Sequence, residues 1–268
     1  EPVKTALRAG MQVIVHSHNA GASRSPVTQI LHRLNSRLTP WSRVTRLAVS
    51  DQAGRWMFGG GSTFEVIPNG IDVASFGFDL TARQETRRAL GLSPQDFVIG
   101  QVGAFLPAKN QEFSLEVLRE VLDSRPNAML LFVGTGPLED SVRLRAGQLG
   151  LGDRVRFLGR RDDIPALMSA LDALIFPSRY EGFGLVALEA QAAGLPCLVS
   201  EAVPTAVLLL PTARRLPLTC GPSGWASAVL TESAPSREDA AQIVAEAGFS
   251  VEANTARVEE VYARVTRR

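Results

Sequence analysis

The sequence predicts an α/β fold built on parallel sheets, and three observations predict it. From residue 97 onward, short apolar runs alternate with stretches of helical length, the pattern of strands covered by helices on both faces. Near the start, an apolar run empties into a glycine- and serine-containing loop, and the carboxyl ends of strands are where such folds place ligands. The stretch from Phe176 to Ser200 reads as strand end, glycine loop, helix and next strand, and the rest of the chain is organised around it. At 268 residues the chain is long enough for two domains at about 100–200 residues each.

Taken in order, residues 12–16 are the first strand, ending in His16-Ser-His18-Asn19 and followed by the loop Ala20-Gly-Ala-Ser23. A helix is signalled from Ser25, with Val27, Ile30, Leu31, Leu34 and Leu38 on one stripe and Arg24, Arg33 and Arg37 off it; Pro40 ends it. Residues 46–50 and 64–68 read as strands, 52–58 as a short helix and Gly59-Gly60-Gly61 as a break. Residues 73–94 are polar and irregular, a linker with one helical run at 83–90. The regular alternation follows: strands at 97–102, 128–133, 155–158, 173–176, 196–200 and 215–218, helices at 111–123, 138–149, 164–170, 224–230, 237–247 and 252–265. The expected organisation is a partial Rossmann-like domain over 1–72, a linker over 73–94, a full Rossmann-like domain over 95–250 and a C-terminal helix over 251–268. Three strands are fewer than a self-sufficient domain of this type needs, so the first domain is expected to be truncated.

Composition narrows the class. With 28 Lys and Arg against 27 Asp and Glu, net charge gives no reason to expect nucleic acid as a partner. The charge is uneven, however: residues 1–50 carry seven Lys or Arg and a single acid, Glu1. That excess reads either as a solvated face or as a surface for anionic lipid. Two cysteines, Cys197 and Cys220, make no disulfide framework, and a reducing cytoplasm is the simplest setting. No apolar run approaches the ~20 residues of a membrane span.

Two carboxylates resist a surface reading. In the predicted helix 185–193 the polar side chains are Glu189 and Gln191, and a helix apolar nearly all round is a buried one. A buried carboxylate needs a partner. Glu181 lies eight residues earlier in a loop that bends at Gly182 and Gly184, and the helix N-terminus between the two acids is a natural seat for phosphate. The plain alternative makes Glu181 a capping carboxylate and Glu189 a satisfied core group. Asp162-Asp163, an acidic pair, reads as a helix start and not as a metal site. Gly134-Thr-Gly136-Pro137 lacks the third glycine of a dinucleotide fingerprint and reads as a strand-to-helix turn.

Six segments in order carry a resemblance: Ile67-Pro-Asn-Gly-Ile-Asp72, Val102-Gly103 with Lys109-Asn110, Val133-Gly-Thr-Gly-Pro137, Val155-Arg-Phe-Leu-Gly159, Asp172-Ala-Leu-Ile-Phe-Pro-Ser178, and the Glu-x7-Glu segment Glu181 to Glu189. Together they resemble the retaining glycosyltransferases of family 4, of GT-B type, nearest to those of bacterial capsule and exopolysaccharide synthesis. The resemblance implies a sugar transferred from a nucleoside diphosphate sugar to a saccharide or lipid-linked saccharide acceptor, with no metal or other cofactor. By it, Glu189 would hold the ribose, Glu181 would face the donor sugar, and the N–H groups from Gly182 through Phe183 and Gly184 to Leu185 would meet the diphosphate and sugar. Lys109, beside Gly103, would offset charge on the leaving diphosphate, and the loop beginning at Arg160 would seat the base. His18 matches the family's histidine facing the donor sugar; His16 is expected on the other side of the strand, which leaves the choice between them open. Two positions depart from the family: Ala104 stands where an arginine is usual, and Val207-Leu-Leu-Leu210 is more apolar than expected. The chain is expected in the cytoplasm or at the inner face of the cell membrane. Ala104 and the short first domain keep a non-catalytic nucleotide-sugar-binding remnant or partner subunit in view, and a nucleotide-sugar epimerase is the third possibility.

Overall fold

A computed structural model describes residues 2–18, 26–231 and 236–267. The loop 19–25, with Asn19 and Arg24, lies outside the described residues. The chain forms two compact units: residues 1–70, 180–183 and 248–268 make the first, and residues 71–179 and 184–247 the second.

The first unit opens with helix α1 (Pro2–Arg8), then strand β1 (Ile14–Ser17), helix α2 (Pro26–Leu38), strand β2 (Thr45–Ala48), helix α3 (Asp51–Phe58) and the short strand β3 (Glu65–Val66). Its three strands are parallel in the order β1-β2-β3, with Val15 opposite Arg46 and Ala48 opposite Val66. The hydroxyl of Ser50 caps α3 by accepting from the Ala53 N–H at 3.1 Å.

The second unit begins with two helices, α4 (Val73–Phe76) and α5 (Leu80–Ala89), in the stretch expected as a linker. Its alternating series is β4 (Phe97–Val102), α6 (Gln111–Leu122), β5 (Ala128–Val133), α7 (Glu139–Gln148), β6 (Val155–Phe157), α8 (Ile164–Ala170), β7 (Ala173–Phe176), α9 (Leu185–Ala192), β8 (Cys197–Ser200), β9 (Ala213–Leu216), α10 (Gly221–Thr231) and α11 (Ala240–Glu246). The six strands are all parallel, in the order β6-β5-β4-β7-β8-β9. Every residue of β5, β7 and β8 is buried, which is why these strands read as continuous apolar runs instead of alternating ones. Ile99, Leu130, Phe132, Ile175 and Leu198 from the sheet share a core with Leu115, Leu118 and Val121 of α6 and with Trp225 of α10.

The linker expectation fails at Arg83 and Arg87. Both guanidinium groups reach the Asp172 carboxylate, at 2.6 and 3.2 Å, and Asp172 also accepts from the Val98 N–H at 2.8 Å. The same arginines donate to the Ala170 carbonyl, at 3.1 and 2.9 Å, which satisfies a carbonyl left open at the end of α8. A helix held by its arginines shows no apolar periodicity, so α5 looked irregular.

The last helix, α12 (Val251–Thr266), returns to the first unit, where Val261 and Val265 join Leu47 and Ile67 in a small core. Among the described residues no helix is long and apolar enough to cross a membrane. Cys197 is buried, with its thiol pushed up to about 12 by that burial, and Cys220 is exposed; both are unbridged.

Candidate active site

In the second unit the predicted site residues Gly103, Lys109, Arg160 and Gly184 lie in the loops at the carboxyl ends of β4, β6 and β7, and Leu185 and Glu189 lie on helix α9. The β4 loop is the most constrained. Gly103 has φ of 151°, and a Cβ there would lie 3.5 Å from the Lys109 side chain, so the stem of Lys109 runs over the glycine. The Lys109 ammonium stands 4.6 Å from the centre of the Phe176 ring, a cation–π distance. Its backbone is pinned from below: the Lys109 carbonyl accepts from the Gln101 amide at 2.7 Å, and the other end of that amide accepts from the Ser114 hydroxyl at 2.7 Å. Asn110 follows with φ of 56°, the one non-glycine with positive φ among the described residues, and begins α6. Asparagine tolerates that conformation better than most residues, and its amide donates to the Pro177 carbonyl at 3.3 Å. The Arg179 N–H donates to the Ala108 carbonyl at 2.7 Å, a second tie between the β4 and β7 loops.

The glycines after β5 have a structural reason. A Cβ on Gly134 would sit 2.3 Å from the Gly103 carbonyl oxygen, and one on Gly136 would sit 2.6 Å from that of Phe105. The two loops approach backbone to backbone, which only glycine permits. Beyond β6, Gly159 accepts from the Gly134 N–H at 2.8 Å, and the Arg160 side chain is 86% exposed, its nitrogen 3.8 Å from Asp162. Asp163 pairs with Arg161 at 2.6 Å, and that hydrogen bond holds its carboxyl below the usual value. The acidic pair is thus tied to two arginines at the start of α8.

Helix α9 carries the clearest electrostatic signal. Gly184 stands at its N-cap with φ of 93°, and no side chain caps that end. All but three of its residues are buried, and the three, Leu185, Val186 and Glu189, lie at i, i+1 and i+4 on one face. Glu189 is half-buried and makes no side-chain hydrogen bond or ion pair among the described residues. Burial pushes its carboxyl up to about 7. Gln191, on the opposite side, is fully satisfied: its amide nitrogen donates to the Ala187 and Val207 carbonyls at 2.9 and 2.7 Å, and its oxygen accepts from the Leu209 and Leu210 N–H groups at 2.7 and 3.0 Å. That amide fastens the unexpectedly apolar segment 207–210 to α9, with Val207 wholly buried.

Glu181, Gly182 and Phe183 belong to the first unit. The Gly182 carbonyl accepts from the Ser50 hydroxyl at 2.8 Å, and the buried Phe183 ring lies 6.0 Å from that of Phe249. Glu181 is half-buried. In the same unit the two histidines come together. The His16 and His18 rings are 4.3 Å apart and tilted by 49°. The expectation that they take opposite sides is corrected: the chain stays extended past the end of β1, and residues two apart then share a face. His16 is pulled below its usual pKa, first by burial and then by the neighbouring His18; His18 is exposed.

A parallel-sheet fold with glycine-rich carboxyl-end loops, an uncapped helix N-terminus and a half-buried glutamate is the layout of a nucleotide-handling α/β protein. The comparisons make this specific. The family model Glycosyl transferases group 1 matches residues 82–210. A protein carrying the name glycosyltransferase EpsF, from Bacillus subtilis, is 32% identical over 267 residues, covering 95% of this chain and 69% of its own. The UDP-Gal:alpha-D-GlcNAc-diphosphoundecaprenol alpha-1,3-galactosyltransferase of Escherichia coli is 35% identical over 139 residues, 51% of this chain and 36% of its own. The crystal structure of Anabaena HepE with UDP and glucose superposes with a TM-score of 0.82 at 23% identity, over 98% of this chain and 74% of that one. The chain belongs to the glycosyl transferases of group 1, enzymes with the GT-B fold.

Several contributors escaped the sequence reading. Gln101, Ser114 and Ser50 act through partners distant in sequence, and no local pattern marks them. The signal for Gln191 was available, since a second polar residue on an otherwise buried helix has to be satisfied.

Proposed function

We propose that the chain transfers a sugar, with retention of configuration, from a nucleoside diphosphate sugar to a saccharide or lipid-linked saccharide acceptor in the synthesis of a bacterial polysaccharide such as a capsule or exopolysaccharide. One observation carries this reading: Glu189, a half-buried carboxylate without a partner among the described residues, sits on the open face of α9, one turn below an uncapped N-terminus. A ribose offers the two hydroxyl donors that such a carboxylate lacks, while the helix end offers N–H groups to a diphosphate. The names of the relatives support the same class of substrate, since one is printed with a nucleotide-sugar donor and a diphosphoundecaprenol acceptor.

In this reading Lys109, steered by Gly103 and Phe176, offsets the negative charge that grows on the departing diphosphate, so that no metal is required. Gly182, Phe183, Gly184 and Leu185 contribute backbone N–H groups, Glu181 and His18 act at the donor sugar, and the loop from Arg160 receives the base. The enzyme works in the cytoplasm at the inner face of the membrane, drawn there by the basic residues of 1–50. The test is release of nucleoside diphosphate from a donor panel with lipid-linked acceptors. Turnover that Glu189→Ala and Lys109→Ala abolish is the expected result; no release from any donor would sink the reading.

A second reading is favoured by Ala104, which is exposed beside Gly103 and supplies no second cation. It makes the chain a binder of nucleotide sugars without catalysis of its own. Donor binding by calorimetry with no turnover would select it.

A further inference from the structure

Two buried glutamines brace the β4 loop by reaching across each other. Gln101, on β4, sends its amide forward to the Lys109 carbonyl at 2.7 Å, and Gln111, which opens α6, sends its amide back to the Ala104 carbonyl at 2.9 Å. A carbonyl can only accept, so the amide nitrogen of Gln101 must face Lys109, and its oxygen is left to accept from the wholly buried Ser114 hydroxyl at 2.7 Å. On either side of Lys109 the loop is tied to the β7 loop, at Ala108 by the Arg179 N–H and at Asn110 through the Pro177 carbonyl. Each of these residues lies in the second unit. Stability alone is a weak reason for an amide at position 101. Its neighbours Val98 and Ile99 are apolar and wholly buried, and an internal hydrogen bond returns little beyond the desolvation of its two groups. What an amide supplies and an apolar side chain cannot is direction.

We propose that Gln101 is a positioning residue for Lys109, and that Ser114 sets the Gln101 amide for that task. With its carbonyl held by Gln101 and its stem laid over Gly103, Lys109 has its ammonium placed 4.6 Å from the centre of the Phe176 ring before any substrate arrives. Stabilisation of charge in a transition state depends on groups that are already in place, because a group that must first be moved spends part of its interaction on the movement. Gln101 bonds to the backbone of Lys109, and Ser114 bonds to Gln101, so both act on turnover through the lysine. The inference rests on the role given to Lys109 under the proposed function.

The test is a double-mutant cycle in steady-state kinetics, run well below the melting temperature of every variant. Gln101→Met, close in length but unable to donate, should lower kcat by about tenfold, as a misplaced catalytic group does, with a much smaller change in the KM for donor. Ser114→Ala, which keeps the amide but lets it turn, should lower kcat in the same direction by less, and it carries the comparison if Gln101→Met does not fold. Beside Lys109→Ala neither change should lower kcat further, because residues that act as one unit are not additive. The same cycle read by calorimetry with UDP and GDP needs no acceptor: Gln101→Met should weaken binding of whichever the parent binds, and not further beside Lys109→Ala. If Lys109→Ala is slow while Gln101→Met and Ser114→Ala keep the parent's kcat, or if Gln101→Met costs the same in both backgrounds, the proposal is overturned and the role of the lysine stands. A Lys109→Ala chain with the parent's kcat, or a parent that neither turns over nor binds, would remove that role and this proposal with it.

Discussion

Glu189 shows how one residue can join stability to ligand binding. Its carboxyl titrates near 7 in the folded chain against an ordinary 4.5. A raised acid pKa means that the protonated form is the comfortable one: the contribution to stability is present in full below about 4.5 and is lost as pH rises to about 7. The size is at most about 3 kcal/mol from the shift. Glu189→Gln cannot titrate, so its melting temperature should vary less than the parent's from pH 4.5 to 8 and exceed it at pH 8. Parallel curves for the two proteins would contradict this. Nucleotide binding should drop in the same variant, and in the parent binding should release a proton near pH 7, because hydroxyl donors favour the carboxylate; calorimetry in buffers of different ionisation enthalpy reads that proton. For Lys109→Ala the loss belongs to turnover, about 100-fold in kcat with a smaller change in donor affinity, and stopped-assay kinetics separate the two. The half-burial of Glu189 was legible because every other side chain of its helix except Gln191 is apolar. The chain Lys109 carbonyl, Gln101, Ser114 was not, since its members are joined only by the folding of β4 against α6.

At the scale of elements, the loops behave as one bonded layer, and glycine is what lets them meet. Gly134→Ala would drive a methyl group to 2.3 Å from the Gly103 carbonyl at a backbone angle that side chains rarely adopt. We expect a loss of about 2–3 kcal/mol or a displaced β4 loop, read by urea unfolding and by weakened nucleotide binding together. Gln191→Leu, although nearly equal in volume, would leave the Leu209 and Leu210 N–H groups and the Val207 carbonyl without their partner. A cost of about 2–4 kcal/mol follows, and hydrogen exchange at residues 207–210 should quicken more than elsewhere. Strands β4, β5 and β7 and helix α8 coincide with the ranges expected from the sequence, because runs that are mostly apolar and mostly buried announce themselves. Helix α4, of four residues, did not, being too short for a period. The case of α2 is different in kind: its stripe was plain, but periodicity tells which residues share a face and not which way that face turns. Only the bonds from His32 and Ser36 to the Trp56 and Met57 carbonyls decide it.

At the scale of the whole molecule, the second unit is held at the foot of its sheet by charge. Asp172 accepts from Arg83, Arg87 and the Val98 N–H, and Arg237 adds a bond to the Leu171 carbonyl at 3.0 Å. Asp172→Ala would strand the largely buried guanidinium of Arg87, and urea unfolding should show the second unit weakened by about 3–5 kcal/mol. The boundaries were legible in part. The alternation from residue 97 gave the large sheet, but nothing local told that 73–94 would bind to it through arginines, or that α12 would cross back to the first unit. That return has a consequence in time. Leu47 and Ile67 leave the ribosome long before Val261 and Val265, the residues that cover them. Domains form as their segments emerge, so the second unit can close on itself while the first still waits for its lid. A part made early is then the last to finish folding, and its early apolar surface is what a chaperone would meet.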